Sequence, residues 1–347
     1  MTLYVDNHCE IAQFLLPWIT EKFYDFGTVP VVPGATYIIG REQLRLNADR
    51  VRSMVNQCQV VFSNPAEGSE TMIWHLQQYG IEDLVLSGRI KLIVGGRMPA
   101  HYPHLLFEHF LTQPLRFEEN QQAQQRTPEI FSKLHKPYSF LCLNGRSRPH
   151  RETVLNELSQ RGLLDSALWT NLDNHLRPIQ LLPEHYEVTR YRGEFAKTNR
   201  FVKSQLFKNE WGEIYLQPEP YIDTYFSLVT ETVFDYPYSF FTEKIAKPLT
   251  MGHPFVAVAS QGFYRDLHNL GFKTFGHLVD ESFDLIESND LRIQRIIQVV
   301  EDLSRGNLQD FLLCAEPICK YNQQHLQQFS ADQIAALPHR VLAYINE

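Results

Sequence analysis

The chain has 347 residues, of which 44% are hydrophobic, 21% charged and 12% aromatic. That composition excludes a disordered chain, a coiled coil and a collagen-like repeat, and at ~150 residues per domain the length predicts two domains. Lys and Arg number 32 against 40 Asp and Glu, a net charge of −8, the wrong sign for a non-specific nucleic-acid binder.

The most apolar early stretch, Ile11 to Ile19, is short and contains Gln13 and Pro17. A membrane-spanning helix needs ~20 mostly apolar residues, and a signal peptide wants a basic start and a small-residue cleavage site. Neither is seen, so no integral membrane segment is expected. Five cysteines, Cys9, Cys58, Cys142, Cys314 and Cys319, make an odd, sparse set that reads as reduced thiols in a cytoplasmic protein. Cys314 and Cys319 have no second pair to complete a zinc site.

Further along, Gln59-Val-Val-Phe-Ser63 is a short buried strand by composition, Asn64 to Ser69 is turn chemistry, Glu70 to Tyr79 suits a helix, and Lys91 to Gly96 is a second strand ending in glycines. This strand–loop–helix–strand grammar belongs to parallel sheets. A polar, Gln-rich seam follows from Phe117 to Arg126, read as a surface linker or a solvated helix face. Beyond it the grammar repeats. Tyr138 to Leu143 is a strand, Asn144 to His150 a basic loop and Arg151 to Arg161 a helix. Tyr225 to Thr230 is a strand, Thr242 to Thr250 a short helix, His253 to Ala259 a strand, and Gln261 to Asn269 a helix. Leu291 to Leu303 is an amphipathic helix with Ile293, Ile296, Ile297 and Val300 on its core face. The expected fold is α/β, with two Rossmann-like domains facing a cleft: residues 1–125 as the N-terminal domain, 126–310 as the second domain and 311–347 as a C-terminal helical tail.

The chain lacks G-x-x-x-x-G-K-[ST], G-x-G-x-x-G after a strand, H-E-x-x-H and G-x-S-x-G, which argues against a Walker NTPase, a dinucleotide oxidoreductase, a zincin and a typical serine hydrolase. No two aspartates stand at D-x-D spacing, so no carboxylate pair is set to hold a metal bridging a diphosphate. Asp280 to Asp284 is acidic enough for a cation but reads more simply as a solvated loop.

Two segments do carry chemistry. Asn144-Gly-Arg-Ser-Arg-Pro-His-Arg151 lies between a strand and a helix, which puts Arg146, Arg148 and Arg151 beside helix N-terminal amides, a setting for an anion. The plainer alternative is a solvated basic turn, with His150 a turn or capping residue. In the second segment Thr242 caps a helix whose first turn holds Glu243 and Lys244, with Lys247 one turn on. Glu243 is placed to accept from a ribose diol and Lys244 to reach a diphosphate, although an ordinary Glu–Lys surface pair would look the same. Arg190, Arg192, Lys197, Arg200 and Lys203 form a basic, aromatic-interleaved run. Residues 136–212 carry 12 basic against 8 acidic side chains, a net of +4, which suits an anionic ligand. In the first domain Glu67, near Gly68 and Glu70, is the candidate general base; its alternative is a charge at the start of the next helix.

Glu231 at a strand end, Phe241-Thr-Glu-Lys-Ile245 and Gly252-His-Pro-Phe-Val256 together resemble the donor-binding segment of α-1,3-fucosyltransferases and related two-domain (GT-B type) glycosyltransferases. The match covers mainly Tyr225 to Val258, with weaker support from 144–151. Ala246-Lys247-Pro248 replaces the family's Asn-Ala, and His253 stands where a small or β-branched residue is usual. The resemblance implies a metal-independent transferase that moves a sugar, fucose in that family, from a GDP-linked donor to a hydroxyl of a glycan or another acceptor. It also implies that Glu231, Thr242, Glu243, Lys244 and Lys247, with the arginine loop, hold the nucleotide. No cofactor beyond the nucleotide sugar is expected. The alternative is a non-catalytic nucleotide- or glycan-binding protein that keeps this fold.

Overall fold

Eleven short strands form two sheets, seen in a computed structural model that describes residues 2–145, 147–172, 178–180 and 216–347. By contact the chain divides into two units, Met1–Thr112 with Phe329–Glu347, and Gln113–Gln328.

The first unit holds β1 (Leu3–Asp6), β2 (Glu21–Phe23), β3 (Thr36–Ile39), β4 (Gln59–Asn64), β5 (Ile90–Val94) and β6 (His104–Leu106). They run parallel in the order β2-β1-β3-β4-β5-β6. Its helices are α1 (Arg41–Met54), α2 (Ser69–Gln78), α3 (Glu82–Leu86) and α4 (His109–Thr112). The central strands β1, β3, β4 and β5 are largely buried on both faces, as a parallel sheet covered on both sides requires, whereas the edge strand β2 exposes Glu21 and Lys22. Tyr4, Tyr37, Phe62 and Leu92 pack with Leu44, Val51, Met72 and Leu76 of α1 and α2. On the other face Leu3, Val5, Ile38, Val61, Ile93 and Phe107 pack with Leu337, Val341 and Ile345 from the far end of the sequence.

The second unit opens on α5 (Glu118–Gln124) and α6 (Thr127–Ser132), so the Gln-rich seam is helical. Then come β7 (Tyr138–Asn144), α7 (Pro149–Gln160), β8 (Ala167–Leu172), β9 (Pro178–Gln180), α8 (Pro218–Ile222), β10 (Thr224–Thr230), α9 (Glu243–Met251), β11 (Phe255–Val258), α10 (Phe263–Asn269) and α11 (Asn289–Arg305). The last helix, α12 (Leu308–Asn346), starts in this unit and ends in the first. Strand order is β11-β10-β7-β8-β9, with four parallel strands and β9 antiparallel at the edge. The chain builds outward from β7 to β9, then returns to lay β10 and β11 on β7's other side. Strand order thus reverses between β7 and β10, and it is outside the carboxyl ends of strands at such a reversal that open α/β sheets bind ligands.

Both units are thus α/β with largely parallel sheets, a Rossmann-like architecture. Among the described residues no helix is long and apolar enough to cross a membrane. All five cysteines are unpaired, and only Cys314 is exposed.

Candidate functional site

The sequence places polar residues where β7 and β10 end, and the fold ties those ends together. The Thr230 hydroxyl donates to Asn144 Oδ1, and the Thr170 hydroxyl of β8 donates to the Asn144 carbonyl at 3.3 Å. Arg151, on the first turn of α7 and 2% exposed, donates through Nη2 to the carbonyls of Thr230 and Glu231, each at 3.1 Å. His150 Nε2 donates to the same Glu231 carbonyl at 3.0 Å, and its ring stacks on Phe234 with centroids 5.3 Å apart. Burial foremost, then the charges of Arg151 and Arg148, bring His150 down to about 4 against the pull of the Glu231 carbonyl. The imidazole is therefore neutral, with its proton on Nε2. Strand-end carbonyls buried beyond β10 need donors, and Arg151 and His150 supply them.

Of the expected loop residues, Arg148 is exposed at the N-cap of α7. No side chain caps that helix, so its first amides and the Arg148 guanidinium share one edge. Arg146 lies outside the described residues, as do Arg190, Arg192, Lys197, Arg200 and Lys203. Behind the loop, Glu152 Oε1 accepts from the Ser147 hydroxyl at 2.5 Å and from Asn171 Nδ2 at 3.2 Å.

From the β10 side comes the Glu231–Lys244 group. Glu231 is fully buried, and its carboxylate closes the 231–242 connection. Oε2 accepts from the Thr242 hydroxyl at 2.5 Å and the Thr232 amide at 3.1 Å, and Oε1 from the Thr242 amide at 3.3 Å. Thr242 Oγ1 in turn accepts from the Lys244 amide at 3.3 Å, the cap of α9. The Lys244 ammonium pairs with the Glu243 carboxylate. Burial pushes the Glu231 carboxyl up, against the attraction of Lys244 and the bond from Thr242. Burial also works against the Glu243 charge, but Lys244, its hydrogen bond and Lys247 together hold that carboxyl below its ordinary value. Thr242, Glu243, Lys244 and Lys247 thus gather on the first turns of α9, with Glu231 beneath them as the brace.

His253 has a structural role. Buried between β10 and α8, it accepts from the Ser227 hydroxyl at Nδ1 and donates from Nε2 to the Thr224 carbonyl, both at 2.9 Å. Burial brings it down to about 3, so the ring is neutral, and it sits at the opening end of β10, opposite that strand's carboxyl end.

Glu67 lies in the first unit, in the connection from β4 to α2. Its carboxylate is 3.3 Å from Arg41 at the start of α1. Asp280 pairs with Arg295, and Asp284 caps α10 through the amides of Tyr264 and Arg265. Among the described residues no group of three or more His, Cys, Asp or Glu could hold a metal ion. Thr230 and Asn171 belong to no motif in the sequence; the signal Thr230 offers is a polar residue ending the otherwise largely apolar β10, and Asn171 stands one residue before the end of β8. Models of known protein families give no match to the chain, and neither do curated proteins.

Proposed function

We propose that the protein is a metal-independent glycosyltransferase of the two-domain GT-B type, cytoplasmic, using a GDP-linked sugar, fucose by resemblance, and a hydroxyl acceptor such as a glycan. One observation carries this reading. At the carboxyl ends of β7 and β10, where strand order reverses, α7 opens beside Arg148 without a side-chain cap and α9 opens at its Thr242 cap with Glu243, Lys244 and Lys247 on its first turns. Helix amides, a guanidinium and ammonium groups at one edge suit a diphosphate, and Glu243 is placed to accept from a ribose hydroxyl. As the acceptor's hydroxyl oxygen bonds to the anomeric carbon, the bond from that carbon to the diphosphate oxygen breaks and its electron pair leaves with the nucleoside diphosphate, whose charge Arg148 and Lys244 offset. This is stabilisation of a leaving group by preorganised charge. Glu67 is the carboxylate that sequence reasoning offers to take the acceptor's proton.

Thermal-shift measurements with GDP, UDP, ADP and CMP, with and without Mg²⁺, followed by donor-consumption assays in EDTA, test the reading. At 100 times its Kd a nucleotide adds about 2.7 kcal/mol of stability. GDP is expected to shift the melt most, with or without magnesium. Binding that requires Mg²⁺ or Mn²⁺ would overturn the metal-independent route. GDP binding with no donor consumption against any acceptor would favour the alternative, a nucleotide-binding protein that keeps the fold.

A further inference from the structure

The second unit holds a cavity that the nucleotide reading does not use. It lies between α7 and β8 and has a volume of about 430 Å³. Alternation along β8 puts Trp169 and Asn171 on one face of the strand, and both line the cavity. Glu152 and Leu155, nearly one turn apart on α7, line it from the helix. The short turn Leu163–Ser166, which leads into β8, contributes Leu164 and Asp165.

Charge gives this cavity its character: the lining holds two carboxylates and no lysine, arginine or histidine. Glu152 stands at one end, where its Oε1 accepts from Asn171 Nδ2 near the carboxyl end of β8 and from the Ser147 hydroxyl. Both donors are neutral, so they orient the carboxylate without cancelling its charge. Asp165 stands at the other end, exposed, two residues before β8 begins, and it pairs with no cation among the described residues. A strand rises ~3.3 Å per residue, so the Ala167–Asn171 stretch between these ends spans ~13 Å. Along that span lie the half-buried Trp169 ring and the side chains of Leu155 and Leu164. Such a lining repels anions, and carboxylates set at opposite ends cannot share one metal ion. A linear polyamine matches each part. Its terminal ammonium groups suit the carboxylates, its methylenes suit the leucines, and an inner ammonium suits the face of an indole.

We propose that the cavity between α7 and β8 binds a linear polyamine of the spermidine class lengthwise, with one terminal ammonium at Glu152, the other at Asp165 and the inner amine over Trp169. This site does not rest on the nucleotide reading. Titration calorimetry on the full chain, without nucleotide, using spermidine, putrescine and Mg²⁺, tests it. Spermidine is expected to bind saturably, one per chain, and to resist Mg²⁺ at matched ionic strength. Putrescine, too short to reach both carboxylates, is expected to bind roughly tenfold more weakly or worse. Asp165→Asn is expected to weaken spermidine roughly tenfold and Trp169→Leu about fivefold, with circular dichroism unchanged. If Trp169→Leu fails to fold, the exposed Asp165→Asn carries the test. No saturable binding, equal affinity for putrescine, displacement by Mg²⁺ at matched ionic strength, or binding unaffected by Asp165→Asn would overturn the proposal. Spermidine binding in a chain that binds no GDP would leave this site standing and remove the nucleotide reading.

Discussion

Replacing Lys244 with alanine perturbs stability and ligand binding by separable routes. The Lys244 ammonium pairs with Glu243 and attracts the fully buried Glu231, while Glu243 itself repels Glu231. Removing it leaves two neighbouring carboxylates with Lys247 as the remaining cation that lowers Glu243. Breaking a fully buried pair costs about 3–5 kcal/mol. Lys244 keeps 21% of its side-chain exposure, so about 1–3 kcal/mol is expected here. At ~2–4 °C per kcal/mol for a unit of this size, 2 kcal/mol lowers the melting temperature by roughly 4–8 °C. The loss shrinks on acidification. Glu231 has a raised folded pKa, so its protonated form favours the native state, and that contribution disappears as pH rises through its folded pKa. Adding Glu243→Gln removes one of the two repelling charges and restores most of the stability. On the proposed reading nucleotide binding does not return with it, because a diphosphate would still lack its ammonium: calorimetry on Lys244→Ala, alone or with Glu243→Gln, is expected to show GDP held ten- to a hundredfold more weakly. An unchanged melting temperature at pH 7.5 would refute the charge-compensation argument, and an unchanged GDP affinity would move the donor site elsewhere.

Thr242→Val removes both the cap acceptor for the Lys244 amide and the hydroxyl donor to Glu231, so urea unfolding is expected to show a loss of about 1–2 kcal/mol. Gly95→Ala places a Cβ 1.8 Å from the Pro65 carbonyl oxygen; the β4–α2 connection must then shift, and a loss of about 3 kcal/mol or more is expected in the same assay. Burial pushes Glu281 up to about 7, against bonds from the Thr274 hydroxyl and Phe275 amide. Because its folded pKa is the higher one, stability falls as pH rises from about 4.5 to about 7, by at most ~1.4 kcal/mol per pH unit. Urea midpoints across that range should flatten in Glu281→Gln; an unchanged profile would place the titration elsewhere.

The parts of the fold visible in the sequence are those where one short-range rule acts. β4, β5, β7 and β10 are runs of β-branched and aromatic residues bounded by turn residues, and Thr242 is a cap whose acidic neighbour follows it. β1 and β3 stay hidden because Leu3–Asp6 and Thr36–Ile39 are four residues long and carry no flanking motif, whereas the equally short β11 follows Gly252-His-Pro254. Glu118–Gln124 reads equally as a linker or a solvated helix face, because a polar helix with no apolar stripe has no period to detect; it is a helix. The site divides the same way. The Glu243–Lys244 pair can be read locally, whereas the Arg151 brace depends on carbonyls 79 and 80 positions away.

The ending of α12 within the first unit has a consequence for how the protein is made. Leu337, Val341 and Ile345 cover one face of the β1–β6 sheet. Gln59 Nε2 donates to the Ile345 carbonyl at 2.6 Å, and Arg340 Nη2 to the Leu106 carbonyl at 2.7 Å. A ribosome adding ~5–20 residues per second needs roughly 10–40 s to travel from Thr112 to Phe329. Through that interval Leu3, Val5, Ile38, Val61 and Ile93 wait without their cover, while the second unit is completed first. The nascent chain therefore carries an open apolar sheet face that a chaperone must shield or a neighbouring chain can capture, and shortening the chain near Leu337 would strand the N-terminal unit in that state.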